Sequence, residues 1–555
     1  MSNSTPAERA MAETLAANLA VIDEELPALG ERLRRPVDGS HIVPAADGGF
    51  ALQKGLTRSR LSIPRVEISP EALGRDDQAL FLFGLGAGEI LAHCLTAYPQ
   101  RQVIAWDRDP SMMRLTLSHV SIAEALRSGR LRLLLGCDLL EELPDIPERA
   151  VIQHPLLWAA YGEELFLLSH PMGERQAVIC EGGLFVTELT LELQRRGFSV
   201  YPMSLSHLAL EERRLLLGRV RPQFVAAINC HEGLSKLCAD AGCKLLMWEV
   251  DPSTHDPADP AQPHQSTAHV FAFTFRGRYV DELRAMGFEN VEQLPLAADP
   301  HLRKPVQLSP ESAARYAAPV SFVGMSMVES VPAWEEAFLR LFCLRQGPDS
   351  REQGRLVLAD ALAKQRRDLS RNLLPELVAE MCRGWPERDC RRLVRCASEI
   401  ASAERRIITV SRLGRFGIQV WGDEGWRATA GAKVTYRGPA GHYADLNAIY
   451  CASRINLDIG RLDQLDIVTM RNFDILACGG FVLAERSIDL EKLFQIDTEI
   501  ACYATQAELE QKVAHYLAHP EEARPIAAAG RRAVLERHTV SMRVAHMLQR
   551  AGWRY

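Results

Sequence analysis

The sequence predicts an α/β protein that contains several parallel β-sheets. Three observations support this prediction. Apolar runs of strand-like composition alternate with amphipathic runs along most of the chain, which is typical of parallel sheets covered by helices. The 555 residues are too many for one hydrophobic core and correspond to about three or four domains. The contents of 47% hydrophobic and 24% charged residues are ordinary for a globular protein.

The composition also argues against several classes of protein. A net charge of −7 is not expected for a general nucleic-acid-binding protein. No uncharged apolar run reaches the length of about 18 residues that a transmembrane helix needs. The N-terminal stretch lacks the basic start and apolar core of a secretory signal, so a cytoplasmic location is expected. The 13 cysteines form no CxxC pair, and we interpret them as reduced core thiols.

Residues 1–60 are predicted to form an amphipathic helix, Ala10–Leu33, followed by a polar, turn-rich stretch. Residues 61–170 are predicted to form a Rossmann-like domain, because three strand signals alternate with helical ones. The first strand signal covers 79–84 and the third covers 131–135.

The turn after the first of these strands contains Gly84, Gly86 and Gly88, and the second strand, 102–106, ends next to Asp107. Glycines let a ligand approach the backbone, and an acidic residue at the end of the second strand can hold a ribose. This pattern suggests an S-adenosylmethionine-dependent methyltransferase. Because no methyltransferase catalytic motif follows the third strand, we interpret the block as an accessory domain and keep the methyltransferase as an alternative.

Residues 171–318 are predicted to form a second Rossmann-like domain. Two of its strands, 224–229 and 244–250, are followed by polar residues, His231 after the first and Asp251 after the second. In open α/β sheets, ligands bind at the carboxyl ends of the strands. Asp251 and His231 are therefore candidate site residues, with ordinary polar loop residues as the alternative interpretation.

Residues 319–555 are predicted to form a third α/β domain. A helical insertion is expected over about 332–403, where strand propensity is low. The predicted strands of this domain cover 320–324, 417–422, 434–436, 455–458, 481–484 and 499–503.

This third series carries a specific resemblance. The run HYADLNAIYCASRINLDI (442–459) is followed by DIVTMRNFDILACGGFVLAE (466–485) and, further on, by RHT (537–539). This succession closely resembles the C-terminal domain of the CgeB-like (spore-maturation-type) glycosyltransferases. The middle series resembles the N-terminal half of the same proteins through CEGG (180–183) and WEVDP (248–252).

The resemblance implies a GT-B architecture, in which two Rossmann-like domains face a cleft that holds a nucleotide sugar. Residues 171–318 would then be the acceptor domain and residues 319–555 the donor domain. In the acceptor domain, Asp251 and His231 would be candidate general bases that take a proton from an acceptor hydroxyl. The preceding domain, 61–170, resembles the Rossmann part of flagellin-modifying (Maf-type) proteins.

The family pattern also implies donor-binding residues, which here are Arg471, Asp474, Gly479 and Gly480. A carboxylate can accept two hydrogen bonds from a ribose diol, and an arginine suits a diphosphate. Most relatives have glutamate where this chain has Asp474. The alternative is an (i, i+3) surface ion pair between Arg471 and Asp474, which would contribute only a few tenths of a kcal/mol.

Three further residues lie where strands are predicted to end. Asn456 and Arg461 belong to the end of the strand 455–458 and the loop after it, and Gly324 ends the first strand of the domain. In open α/β sheets, ligands bind at the carboxyl ends of the strands. Arg461 is a candidate for the diphosphate, with a solvated loop arginine as the alternative, and Gly324 for close backbone approach to the phosphates.

The expected function is therefore transfer of a sugar from a nucleoside-diphosphate sugar to an acceptor. The acceptor is expected to be a protein or a glycan, and a surface protein such as flagellin is the first hypothesis, by analogy of fold alone. The resemblance implies a metal-independent reaction, and no cofactor or metal site is expected. Two alternatives are kept: an S-adenosylmethionine-dependent methyltransferase fused to a sugar-binding module, and a non-catalytic scaffold with degenerate transferase domains. The sequence does not indicate an oligomeric state.

Overall fold

The computed structural model describes residues 5–45, 49–54, 57–157, 160–169, 173–251, 267–443 and 445–553. The predicted domain boundary between residues 170 and 171 lies outside these ranges. The chain divides into two compact units. Unit 1 comprises Met1–Phe273, Leu283–Val291 and Arg550–Trp553, and unit 2 comprises Thr274–Glu282, Glu292–Gln549 and Arg554–Tyr555.

Unit 1 begins with two helices, α1 (Pro6–Glu25) and α2 (Pro27–Arg34), where one helix was predicted. The break lies at Leu26, because Pro27 has no N–H and disfavours helical geometry in the residue before it. A three-stranded antiparallel sheet follows, which the sequence did not predict. Its strands are β1 (Ile42–Pro44), β2 (Phe50–Lys54) and β3 (Thr57–Arg60).

The next sheet of unit 1 has four parallel strands in the order β6-β5-β4-β7. Its strands are β4 (Leu80–Phe83), β5 (Val103–Asp107), β6 (Leu131–Leu135) and β7 (Ala150–Gln153). The associated helices are α3 (Pro70–Leu73), α4 (Glu89–Ala97), α5 (Pro110–His119), α6 (Ala123–Arg127), α7 (Leu139–Glu142) and α8 (Gly162–Ser169). The fourth strand, β7, was not predicted.

The third sheet has six strands in the order β13-β12-β11-β10-β8-β9, and its pairs β9–β8, β8–β10 and β10–β11 are parallel. The strands are β8 (Gln176–Cys180), β9 (Ser199–Met203), β10 (Phe224–Ile228), β11 (Lys244–Glu249), β12 (Val270–Thr274) and β13 (Asn290–Gln293). The helices of this region are α9 (Val186–Arg195), α10 (Leu210–Val220), α11 (Leu234–Asp240) and α12 (Tyr279–Ala285).

Unit 2 contains a second six-stranded parallel sheet, with the order β16-β15-β14-β17-β18-β19. Its strands are β14 (Ala318–Val323), β15 (Ile418–Trp421), β16 (Thr435–Tyr436), β17 (Ser453–Leu457), β18 (Val482–Glu485) and β19 (Ala501–Tyr503). In chain order these strands run 3-2-1-4-5-6, the arrangement of the doubly wound Rossmann fold. The strand order reverses between β14 and β17, so a ligand is expected at the carboxyl ends of those two strands.

The helices of unit 2 pack around this sheet and in a separate apolar cluster formed by α14–α17. The predicted helical insertion contains four of them. The helices are α13 (Pro310–Tyr316), α14 (Val331–Gln346), α15 (Arg351–Gln365), α16 (Leu374–Met381), α17 (Glu387–Arg412), α18 (Leu446–Ala452), α19 (Met470–Ala477), α20 (Ile488–Leu493), α21 (Gln506–Ala518), α22 (Pro520–Arg537) and α23 (Val540–Arg550).

The division into units differs from the predicted domain boundaries at three places. The segments 274–282 and 292–318 belong to unit 2, although the predicted boundary lies after both of them. Residues Arg550–Trp553 belong to unit 1, where the ring centroid of Trp553 lies 5.0 Å from that of Phe224 in β10. Within the described ranges, no helix is long and apolar enough to cross a bilayer.

Candidate functional site

The glycine-rich turn after β4 is filled by the chain itself. Gly86 has a φ of +58°, and a Cβ atom at this position would lie 2.4 Å from the carbonyl oxygen of Leu61 and 2.5 Å from Nε2 of His154. The amide of Ala87 donates a hydrogen bond of 2.8 Å to the same carbonyl. At Gly84, a Cβ would meet Leu157 and Tyr161 at 3.2 Å. The glycines therefore allow close packing of protein against the turn.

Asp107, at the end of β5, is fully buried and also has protein partners. Its Oδ2 accepts a hydrogen bond from the amide of Leu85 at 2.8 Å, and its Oδ1 accepts from Tyr161 at 2.5 Å and from the amide of Arg108 at 2.7 Å. Burial raises the pKa of Asp107 to about 6. The contacts with Leu85 and Tyr161 occupy the carboxylate that a methyltransferase would use for a ribose, so this geometry does not favour the methyltransferase alternative.

The two candidate bases lie at the ends of β10 and β11. The ring of His231 contacts the carbonyl oxygen of Ile228 at 2.8 Å through Nε2. Asp251 is half-buried, and its amide donates to Oδ1 of Asn229 at 3.2 Å. Asn229 adopts a positive φ of 63° and also accepts from the amide of Val250, so it fixes the backbone before Asp251. The role of these two side chains as general bases stays a prediction.

At the switch point of the unit 2 sheet, Asp458 follows β17 and organises the start of α19. Its Oδ1 accepts a hydrogen bond from Thr469 at 2.9 Å and also pairs with Arg471. Its Oδ2 accepts from Asn472 at 2.8 Å. Asp458 is only 3% exposed. Arg471 thus pairs with Asp458 and not with Asp474. This contradicts the alternative of a surface ion pair between Arg471 and Asp474.

Arg471 is also held against the end of β14. Its Nε donates to the carbonyl oxygen of Val323 at 2.8 Å, and its guanidinium lies 4.7 Å from the ring centroid of Phe322. A Cβ at Gly324 would lie 2.8 Å from Nη2 of Arg471. Glycine at this position therefore leaves the space that the guanidinium occupies, so the structure brings these two predicted residues together.

Asp474 lies one turn further along α19 and pairs with a residue that the sequence did not single out. Its Oδ2 accepts a hydrogen bond of 2.9 Å from Nε of Arg303, and the two side chains are 6% and 3% exposed. Nη2 of Arg303 contacts Nε2 of His442 at 2.7 Å, while its buried Nη1 has no hydrogen-bond partner among the described residues. Burial lowers the pKa of Arg303, but the Asp474 carboxylate outweighs this effect and the pKa is raised.

The contacts of Asn456, Gly479 and Gly480 indicate structural roles for these three residues. The Asn456 side chain is 1% exposed; it accepts from Ser321 at 2.8 Å and donates to two backbone carbonyls, so the predicted contact with a ligand has no support here. A Cβ at Gly480 would lie 2.7 Å from the carbonyl oxygen of Tyr450. Gly479 has a φ of 76°, as expected for a residue that ends a helix.

Three more arginines lie near this sheet edge. Arg405 pairs with Glu485 at the end of β18, and Arg461 pairs with Glu399 at 3.3 Å. Of the three, only Arg461 was predicted from the sequence as a binding residue. Arg405 and Arg406 lie on α17 and were not predicted. The side chain of Arg405 also donates to the carbonyl oxygen of Gly460 at 3.2 Å.

Arg406 differs from its neighbours, because no carboxylate pairs with it among the described residues. Its Nη1 and Nη2 donate to the carbonyl oxygens of Met325 at 2.7 Å and Ile459 at 3.1 Å, and its buried Nε has no partner within the described ranges. Burial, followed by the positive charges of Arg471 and Arg461, lowers its pKa to about 9. The Asp458 carboxylate acts in the opposite direction, but no carboxylate of the described residues forms an ion pair with Arg406.

The polar groups of this edge form an electropositive cluster. Among the described side chains, four arginines face three carboxylates; the arginines are Arg405, Arg406, Arg461 and Arg471, and the carboxylates are Glu399, Asp458 and Glu485. The N-cap residue of α19, Thr469, makes no capping bond with its side chain, which donates to Asp458 instead. A helix N-terminus without a side-chain cap and an arginine without an ion-pair partner favour binding of an anion.

The sequence comparison that bears on this region concerns the C-terminal part of the chain. Residues 400–549 match the family described as "Glycosyl transferase-like". The matched segment contains Arg405, Arg406, Asp458, Arg471 and Asp474. No curated protein sequence matches the chain significantly.

Several solved structures resemble the chain at low identity. A sucrose-phosphate synthase from Thermosynechococcus elongatus is 12% identical over 68% of this chain and 98% of its own, with a TM-score of 0.38. A glycosyltransferase from Rickettsia africae is 10% identical over 85% of this chain and 98% of its own, with a TM-score of 0.39. HepE of Anabaena in complex with UDP-glucose is 11% identical over 67% and 98%, with a TM-score of 0.39. At these scores the similarities do not decide the function.

Proposed function

We propose that this protein is a CgeB-like glycosyltransferase of GT-B architecture, which transfers a sugar from a nucleoside-diphosphate sugar to an acceptor. The observation that carries the proposal is Arg406, a buried guanidinium without a carboxylate partner among the described residues, at the sheet edge where a ligand is expected. Burying an uncompensated charge is costly, so the site is best explained by an anion that binds there. The match of residues 400–549 to a glycosyl transferase-like family supports a diphosphate as that anion.

The diphosphate would be held by Arg471, Arg406 and the amides at the start of α19. When the bond between the sugar and the diphosphate breaks, negative charge develops on the leaving oxygen. Fixed positive groups next to that oxygen lower the barrier because they need no reorganisation during the reaction. In this proposal the arginines and the helix N-terminus supply the stabilisation, which makes the reaction metal-independent.

The nucleoside would extend from the diphosphate towards Asp474. This carboxylate can accept hydrogen bonds from the ribose diol, and its ion pair with Arg303 orients it. Tyr443 lies beside the same arginine, with 5.8 Å between the guanidinium and the ring centroid, and is 51% exposed. An exposed aromatic ring at this position would suit stacking of the nucleobase.

The acceptor side of the reaction rests on residues of unit 1. Asp251 or His231 would take the proton from the acceptor hydroxyl, by the family resemblance and by their positions after β11 and β10. We propose a cytoplasmic enzyme whose acceptor is a surface protein such as flagellin, or a surface glycan. The Maf-like domain, 61–170, would be an accessory domain for acceptor docking.

A two-step experiment tests the proposed function. Thermal-shift screening of the full chain against UDP-, GDP-, CMP- and dTDP-sugars should identify one stabilising donor, and that donor should then be hydrolysed slowly without an acceptor. Arg471→Ala should abolish the hydrolysis, whereas Arg415→Ala, at an exposed ion pair with Glu510, should not change it. If a donor stabilises the protein but no hydrolysis or transfer follows with any acceptor extract, the scaffold alternative is correct. If no donor stabilises the protein, the proposal is wrong.

A further inference from the structure

Unit 2 contains two neighbouring cysteines that the proposed function does not use, Cys451 in α18 and Cys478 directly after α19. The thiol of Cys451 donates a hydrogen bond of 3.4 Å to the carbonyl oxygen of Cys478. The thiol of Cys478 donates a hydrogen bond of 3.3 Å to Oδ1 of Asn447, which lies one turn before Cys451 on α18. Residues four apart share a helix face, so Cys478 packs on the face that carries both Asn447 and Cys451.

The contact between the two thiols makes them chemically unequal. A hydrogen bond from the Cys478 thiol is the main reason why the pKa of Cys451 is lowered to about 7, against the opposing effect of burial. The pKa of Cys478 is raised, first by its hydrogen bond to Cys451 and then by burial. A substantial fraction of Cys451 is therefore thiolate at neutral pH, which is the nucleophilic form, while Cys478 keeps its proton.

The two cysteines also differ in their access to solvent. Cys451 is half-buried, whereas Cys478 is 2% exposed. A small reagent from solvent therefore meets Cys451 first. A thiolate with solvent access and a second thiol beside it is the arrangement found at redox-reactive cysteines.

A cysteine pair in unit 1 has the same kind of contact without the access. The thiol of Cys243 donates to the carbonyl oxygen of Cys238 at 3.7 Å, and a hydrogen bond from the Cys238 thiol lowers the pKa of Cys243. Both residues are buried, with Cys243 6% and Cys238 0% exposed. This pair therefore provides an internal comparison for the effect of exposure.

We propose that Cys451 and Cys478 are a site of reversible oxidation, at which a hydroperoxide converts the two thiols into a disulfide. The Cys451 thiolate attacks one peroxide oxygen and the O–O bond breaks. This leaves a sulfenic acid on Cys451, and the second oxygen takes up a proton and leaves as water or an alcohol. The Cys478 thiol then attacks the sulfenic sulfur, the S–OH bond breaks, and the hydroxyl leaves as water with the thiol proton. The two sulfurs lose two electrons in total, and the peroxide gains them.

The disulfide would affect the proposed donor site through Asn447. A disulfide sulfur has no proton, so the hydrogen bond from Cys478 to Oδ1 of Asn447 is lost. Nδ2 of Asn447 donates to the carbonyl oxygen of Leu302 at 2.8 Å, and the next residue, Arg303, pairs with Asp474. Oxidation should therefore disturb the carboxylate that is proposed to hold the ribose. This consequence rests on the proposed function, whereas the oxidation itself does not.

Peptide mapping by mass spectrometry, after the full chain is treated with hydrogen peroxide, tests the site without any nucleotide. The wild-type protein should form a disulfide between Cys451 and Cys478, and dithiothreitol should reverse it. Cys451→Ser should form no disulfide at this place. Cys343→Ser, at a half-buried position on α14, is the matched control and should form the disulfide as the wild type does.

The variant Cys478→Ser distinguishes the roles of the two cysteines. Without the second thiol, the reaction should stop at the sulfenic acid of Cys451, which dimedone traps. A wild-type protein in which this pair stays reduced would overturn the proposal, as would a folded Cys478→Ser protein that dimedone does not label at Cys451. If Cys478→Ser does not fold, the maps of the wild type and of Cys451→Ser decide. Faster oxidation of the buried Cys238 and Cys243 would also contradict the role of exposure.

Calorimetric titration of the reduced and the oxidised protein with the nucleoside diphosphate that binds best measures the consequence for the donor site. Affinity should fall by about 10-fold or more on oxidation, since a charged hydrogen-bonding partner is disturbed. Peroxide-treated Cys451→Ser controls for oxidation elsewhere and should keep its affinity. A mapped disulfide with unchanged affinity would overturn the link to the donor site. Absence of nucleotide binding to the reduced protein would instead reject the proposed function, while the peptide map still decides whether the cysteine pair is oxidised.

Discussion

Two Rossmann-like sheets of this protein share the strand order 3-2-1-4 but differ at the edge where a ligand would bind. In the four-stranded sheet of unit 1, the turn after β4 is packed against Leu61 and His154, and Asp107 is bound by Leu85 and Tyr161. In the sheet of unit 2, the corresponding edge contains Arg406, whose buried charge lacks a carboxylate partner among the described residues.

This difference shows which feature of a motif indicates a site. The glycines of the unit 1 turn make close approach possible, but the approaching group is the chain itself. The unit 2 edge has a less conspicuous sequence, yet one of its buried charges, Arg406, has no carboxylate partner among the described residues. Buried polar groups are normally paired, so an unpaired charge at a strand end indicates a missing ligand more directly than a glycine pattern does.

The largest expected effect concerns Asp474 in unit 2. Asp474→Ala should lower the free energy of unfolding by about 3–5 kcal/mol, because it leaves the buried guanidinium of Arg303 without its carboxylate. Hydrogen exchange of peptides from α19 measures this change. Glu491→Ala, which breaks an exposed pair with Arg486, should cost about 0.5 kcal/mol. A loss as small as that of the control would mean that Asp474 behaves as a surface residue.

A second effect, in unit 1, depends on pH. The folded pKa of Asp107 is raised from 3.8 to about 6, so the folded state binds more protons than the unfolded state between these values. The free energy of unfolding should therefore fall by about 3 kcal/mol as the pH rises from about 4 to above 6. Asp107→Asn should remove this fall, and Asp76→Asn, at an exposed position, should retain it. Denaturant titrations at both ends of the pH window measure this fall in the free energy of unfolding. An unchanged pH dependence in Asp107→Asn would contradict a buried, protein-bound carboxylate at this position.

The smallest of these effects tests whether the glycine turn of unit 1 is packed or open. Gly86→Ala should cost about 2 kcal/mol more stability than Gly129→Ala, since both positions have a positive φ but only Gly86 has an atom within 4 Å of the added Cβ. Binding of a nucleoside diphosphate should be the same in both variants. If Gly86→Ala is as stable as Gly129→Ala, the turn is open and the methyltransferase alternative returns.

Much of the secondary structure was predictable from local patterns, because buried strands such as β4 (Leu80–Phe83) and β10 (Phe224–Ile228) have continuous apolar runs. Strands β1–β3 and β7 were missed, since β1 has only three residues and the other three include polar residues. Side-chain contacts between residues that are far apart in the sequence could not be predicted, for a different reason.

Arg303 and Asp474 are 171 residues apart, and the contacts of Arg406 reach carbonyl oxygens of residues 325 and 459. Neither arginine lies in a motif that indicates its partner. The sequence therefore indicated Arg471, Asp474 and Gly324. Arg406, which has no carboxylate partner among the described residues, could be identified only from the packing around it.

The measurement that tests the central claim most directly is calorimetric titration of Arg406→Met with the nucleoside diphosphate that binds the wild-type protein best. We predict that affinity falls by about 10- to 100-fold, because a charged hydrogen-bonding partner of the diphosphate is lost, while binding of the nucleoside without phosphates is unchanged. The free energy of unfolding should stay the same or increase, since a buried uncompensated charge is removed. Arg415→Met, at an exposed ion pair, is the control. Wild-type affinity in a folded but less stable Arg406→Met protein would show that this arginine serves packing alone and would contradict the anion site.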